Sequence, residues 1–91
     1  MAQYTPEQNQ KYNMLEFNKE EEIPYIKGRG IRIDNIYCLD YKAWKQNIDS
    51  IAESRSLSIK AVRQAIEWCT LNDDLVTRVL AKERKEDGIK D

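Results

Sequence analysis

The sequence predicts a mainly α fold: a helical domain built on a helix-turn-helix unit from about Asn47 to about Thr70, preceded by a short β hairpin or strand element. Three observations predict it. From Tyr37 onward, apolar residues recur every three or four positions, the period of one helix face. Residues 14–33 instead hold short apolar runs broken by Pro24, Gly28 and Gly30. Between Ile51 and Ala65, small, turn and β-branched residues stand at the distances that two crossing helices require.

A chain of 91 residues makes one domain and not two. Residues 1–13 are rich in Gln, Asn and Tyr, carry Pro6, show no apolar period and read as a flexible polar arm. A single domain follows over 14–91, with the β element at 14–33 and the helical region at 34–88. Met14-Leu15-Glu16-Phe17 is a strand candidate, and Ile23–Ile33 is a second extended stretch. Pro24 has no N–H to donate, which excludes a central strand at that point. Gly28-Arg29-Gly30 is too short for a nucleotide-binding loop and reads as a hairpin turn. Ile31 and Ile33 alternate with Arg32, so Arg29 and Arg32 are expected to face solvent or a partner.

Asp34 is placed to cap the first helix. Tyr37, Tyr41, Trp44, Ile48 and Ile51 form one helical stripe, which a cap at Asn47 would divide into two helices. Ser58 is the clearest cap; Ile59, Val62, Ala65, Ile66 and Cys69 follow it at helical spacing. Asn72 is expected to cap the last helix, Asp73 and Asp74 to favour its positive end, and Leu75, Val76, Val79 and Leu80 to form its apolar stripe. Lys82, Arg84 and Lys85 load its far end, and Gly88 is the expected stop.

Composition narrows the function. Hydrophobic residues make up 41% and charged residues 34%, a globular balance with a heavily charged surface. The net charge of −1 hides an uneven distribution: residues 1–22 carry −3, residues 23–71 carry +3 and residues 72–91 carry −1. A basic middle between acidic ends suits a chain that turns only its middle toward phosphate. Cys38 and Cys69 stand far apart in apolar contexts and there is no histidine, so no zinc site is expected and both cysteines read as small buried hydrophobes. Asp73 and Asp74 are explained by a helix start, not by a catalytic pair or metal site, and Tyr41, Trp44 and Trp68 by core packing, not by a base-stacking platform. No residues assemble into catalysis, and no cofactor is expected. The polar start lacks an apolar signal segment and no run is long enough to span a bilayer, so a cytoplasmic chain without a membrane partner is expected.

In the helix-turn-helix pattern, Ile51-Ala52 supplies the small crossing position, Ser56 the turn, Leu57 its plug, and Val62 and Ala65 the later packing positions. Ser56 stands where Gly is commonest and has to tolerate a strained turn. If the unit reads DNA, the outward residues after Ser58 do so. Arg63 pairs with guanine and Gln64 with adenine, while Lys60 and Ser58 meet phosphate. Lys42, Lys45 and Arg55 add backbone contacts, and Glu67 argues against a deep contact at its own position. The alternative is an ordinary helical hairpin that serves a protein partner and never touches DNA.

The stretch Ile23-Pro24-Tyr25-Ile26-Lys27-Gly28-Arg29-Gly30-Ile31-Arg32-Ile33 resembles the N-terminal signature of a small prokaryotic family, domain of unknown function 433. Ser50-Ile51-Ala52-Glu53 and the run from Leu57 to Trp68 resemble its second motif, and Asn72-Asp73-Asp74-Leu75 its ending. The resemblance covers residues 14–86. It departs at Trp44-Lys45-Gln46-Asn47, where members often carry Gly, and at Gly28-Arg29-Gly30-Ile31, where they carry Gly-x-Arg-Ile. It implies a homeodomain-like helix-turn-helix and a role as a VapB-type antitoxin, a dimer that binds operator DNA and blocks a PIN-like ribonuclease toxin. On that expectation Tyr25, Ile31 and Arg32 of the β element, with Leu75 and Val79 of the last helix, lie at a dimer or partner interface. A domain this small buries only roughly two-thirds of its unfolded surface, so a second copy or a partner would add needed burial.

Overall fold

Leu15–Glu16 (β1) and Tyr25–Ile26 (β2) pair antiparallel, with Leu15 opposite Ile26 and Glu16 opposite Tyr25. The register follows from burial: Leu15 and Ile26 turn inward together. In this computed structural model, residues 11–18 and 20–88 are described, with side chains through Arg84. Past β2 the chain reverses through Lys27–Gly30, closed by the Ile26 amide on the Ile31 carbonyl at 2.7 Å, and Tyr25 bridges Arg32. Gly28 and Gly30 have φ of +79° and +70°; a Cβ at either would meet nothing, so the turn selects glycine for backbone angle and not for space.

The first helix, α1 (Asn35–Ala43), is wound with i→i+5 hydrogen bonds, and the Trp44 amide continues the pattern to the Leu39 carbonyl at 2.8 Å. This corrects the predicted stripe. A wider turn holds more residues than the 3.6 of an α-helix, so positions three and four apart drift off one face. Tyr37 stays buried, but Tyr41 is 41% exposed and Trp44 67% exposed, so neither packs in the core as expected. Asp34 does precede α1, yet its side chain makes no capping bond. Arg32 holds that carboxylate instead, with one bond to each oxygen at 2.6 and 3.0 Å.

The following helix, α2 (Ile48–Arg55), opens on Asn47, whose side chain accepts from the Ser50 amide at 2.8 Å. It closes on Ser56 in the left-handed region, φ +56° and ψ +45°. There the Ser56 amide bonds the Glu53 carbonyl and the Leu57 amide bonds the Ala52 carbonyl, the paired bonds of a Schellman end. Ser58 then caps α3 (Ile59–Leu71), accepting from the Ala61 amide at 3.1 Å. Buried Ala52, Ala61 and Ala65 let the two helices approach, with Ile51 and Val62 fully enclosed beside them.

Asn72 ends α3 instead of opening the last helix with its side chain. Its Nδ2 and its amide both donate to the Trp68 carbonyl, at 2.8 and 3.0 Å, while its own carbonyl accepts from the Val76 amide at 3.0 Å, so it opens α4 through its backbone. That last helix, α4 (Asp73–Gly88), docks through buried Val76 and half-buried Leu75, Val79 and Leu80. Gly88 is the last residue described, and the Lys85 side chain lies outside the description. Among the described residues, no helix is long and apolar enough to cross a membrane.

The core gathers Ile23, Ile26, Ile33, Ile36, Ile51, Val62, Cys69 and Val76 from every layer. It also takes Tyr12, 3% exposed, from the stretch expected to belong to the polar arm. Residues 1–10 of that arm lie outside the described residues.

Candidate nucleic-acid interface

Burying Ala61, Val62, Ala65, Ile66, Trp68 and Cys69 dictates which side of α3 faces out. Lys60, Arg63 and Glu67 fall on that outward side and are exposed. Their spacing of three and four puts them in one stripe along the helix. Among the described residues, the Lys60 and Arg63 side chains make no hydrogen bond or ion pair. Ser58 stands at the N-terminal end of the stripe, its hydroxyl oxygen already accepting from Ala61.

Gln64 is not an outward reader. It is half-buried, accepts from the Met14 amide at 2.8 Å and donates to the Asn13 side chain at 3.0 Å. Glu67 pairs with the Lys11 ammonium at 3.3 Å, and that ammonium also lies 5.3 Å from the centre of the Tyr12 ring. Donating a hydrogen bond to the Glu67 carboxylate raises the Lys11 pKa above its ordinary value. A segment from Lys11 to Met14 therefore lies against the C-terminal half of the outward face. The sequence held one signal of this contact: Tyr12 stands three residues before Leu15, at a spacing able to bury both.

The remaining cations divide into free and committed ones. Lys45 is exposed, in the turn before α2, with φ +54° and no ion pair among the described residues. Arg55 is committed to the largely buried Asp40 carboxylate of α1, whose hydrogen bond raises the guanidinium pKa further. Lys42 pairs with Asp73 at 3.7 Å and lies over the Tyr37 ring.

Arg32 turns inward, against the expectation that it faces solvent or a partner, whereas Arg29 stays exposed while bonding to its own chain. Arg29 donates to the Ser56 carbonyl at 2.8 Å and the Arg55 carbonyl at 3.3 Å, placing a cation on the negative end of α2. Arg32 bridges Asp34 and the Glu83 carboxylate of α4, the latter at 2.7 and 2.8 Å. These bonds raise the Arg32 pKa and lower that of Glu83. Ile31, Leu75 and Val79, expected at a dimer or partner interface with Tyr25, pack against the core of their own chain, and Tyr25 is half-buried.

Cys69 is buried and Cys38 half-buried, and burial raises both thiol pKa values. Among the described residues, no three His, Cys, Asp or Glu side chains gather as a metal site. Leu39 and Tyr41 of α1 and Trp44 just after it are exposed, and Tyr41 borders a shallow cavity of about 410 Å³ with Asn47, Ile48 and Asp49. No family model, curated protein or solved structure matches this chain.

Proposed function

We propose that this chain is a DNA-binding transcriptional regulator of the antitoxin type, acting in the cytoplasm, binding operator DNA as a dimer and neutralising a PIN-like ribonuclease toxin. One observation carries the DNA-binding part: a tightly turned α2–α3 pair whose second helix presents Lys60 and Arg63 without partners among the described residues. An α-helix fits the major groove, where Arg recognises the acceptor edge of guanine and Lys meets phosphate. Gln64 drops out of the reading set because its amide is occupied by Asn13 and Met14. The antitoxin part rests on the resemblance of residues 23–33 and 50–68 to domain of unknown function 433.

A mobility-shift assay on the protein's own promoter tests the reading. Arg63→Ala is expected to cost about 1–3 kcal/mol and relax base preference, as loss of a bidentate guanine contact does. Lys60→Ala is expected to weaken all sequences alike. Unchanged binding by both variants removes this face from the mechanism. Co-purification with the product of the neighbouring gene tests the toxin.

The exposed Leu39, Tyr41 and Trp44 favour a second reading, a protein-interaction adaptor that makes no DNA contact. Absence of wild-type DNA binding even at low salt selects it, because phosphate contacts are strongest there.

A further inference from the structure

The stripe that α3 turns outward carries two cations and an anion: Lys60, Arg63 and Glu67. By itself it is a poor match for phosphate at its C-terminal end. The fold changes that balance by bringing Lys11 from 56 positions away in the sequence onto Glu67 at 3.3 Å. With Lys11 in place, Glu67 is neutralised and a cation stands where the helix alone has an anion. From residue 60 to residue 67 the helix rises roughly 10 Å, so cations now occupy both ends and the middle of one short line.

The placement of Lys11 is enforced. Tyr12, the next residue, is buried in the core at 3% exposure, and the Leu15 amide closes a turn on its carbonyl at 3.0 Å. Gln64 uses both ends of its amide on this segment, accepting from the Met14 amide and donating to Asn13. The Lys11 side chain nonetheless keeps 58% of its surface exposed. An ammonium has three donors, so one bond to Glu67 leaves others for an oxyanion.

We infer that the nucleic-acid surface is composite: Lys11 is its third cation, contacting phosphate as Lys60 does beside the base-reading Arg63, and Gln64 is the positioning residue that holds its segment on α3. This rests on the DNA-binding reading above and extends it to residues outside the helix-turn-helix. It assigns Gln64 a role other than reading adenine.

The experiment titrates a labelled duplex of the protein's own promoter against wild type, Lys11→Gln, Gln64→Ala, the double variant and Arg63→Ala, each over a range of salt. Lys11→Gln is expected to flatten the dependence of log affinity on log salt by about 1, the signature of one lost phosphate contact. Gln64→Ala is expected to flatten it similarly without changing the order of preference among base-substituted duplexes. The double variant should be no flatter than Lys11→Gln, since both act through one ammonium. A merely structural role for Gln64 would shift the melting temperature and add to the Lys11 effect. An unchanged salt slope in Lys11→Gln overturns the inference, and tighter binding by it would show that the segment obstructs the helix. If Arg63→Ala loses affinity while Lys11→Gln does not, only the composite surface falls. If the wild-type chain binds no duplex at low salt, the DNA-binding reading falls with it.

Discussion

The α2–α3 hairpin and the region in front of it are held by different means. The hairpin closes almost entirely on near neighbours: Asn47 on Ser50, Ser58 on Ala61, and Leu57 on Ala52. The front of the molecule closes on distant partners: Arg32 reaches Glu83 of α4, Asn13 meets Gln64 of α3, and Asp40 meets Arg55 of α2. Caps and turns use amides that are orphaned at any helix end, so each contributes a modest, independent amount. Long-range pairs put charges in partly dry places, where losing one partner strands the other.

The largest expected effect comes from the front region. Asp34 is 2% exposed and depends on Arg32 for compensation. Arg32→Leu is therefore expected to destabilise the domain by about 3–5 kcal/mol, read by urea denaturation. A loss below 1 kcal/mol would erase the contrast between the two regions.

In the hairpin the effects are smaller and of both signs. Ser58→Ala is expected to cost about 1 kcal/mol by removing the α3 cap. Ser56→Gly is expected to add up to about 1 kcal/mol, because φ +56° strains a residue with a Cβ. A destabilising Ser56→Gly would show that the turn depends on the serine itself.

The smallest expected effect is a pH dependence. Bonding to Arg32 lowers the Glu83 pKa, so the folded state favours the ionised form. That contribution is fully present above the ordinary glutamate pKa of about 4.3 and is lost as pH falls through the lowered value. Glu83 is 45% exposed, so solvent screens the effect. Melting curves of wild type and Glu83→Gln should converge as pH is lowered through that window; a constant gap would place the link elsewhere.

The same contrast decides what the sequence made legible. Asn47, Ser56, Leu57 and Ser58 act within five residues of their partners, so residue type and spacing alone announce the hairpin. Helical spacing does not announce that Arg32, only two residues away, takes up Asp34, and nothing local announces that Arg29 serves the end of a helix 26 positions on. The outward stripe of Lys60 and Arg63 was readable from helical period. The loss of Gln64 to Asn13 was not, because a polar side chain on a helix edge carries no mark of its partner. The winding of α1 is equally silent in the sequence: Tyr41 and Trp44 keep the spacing of an ordinary helix face and still lie exposed.

Arg29 carries a further consequence, for portability. The guanidinium that satisfies the last carbonyls of α2 belongs to the tip of the β turn. A fragment starting at Asp34 would retain every residue of the helix-turn-helix pattern and lose that donor pair. The unit that can be excised intact, grafted or fused is therefore larger than its motif. It begins before the turn, and the glycines that aim Arg29 belong to it as much as the helices do.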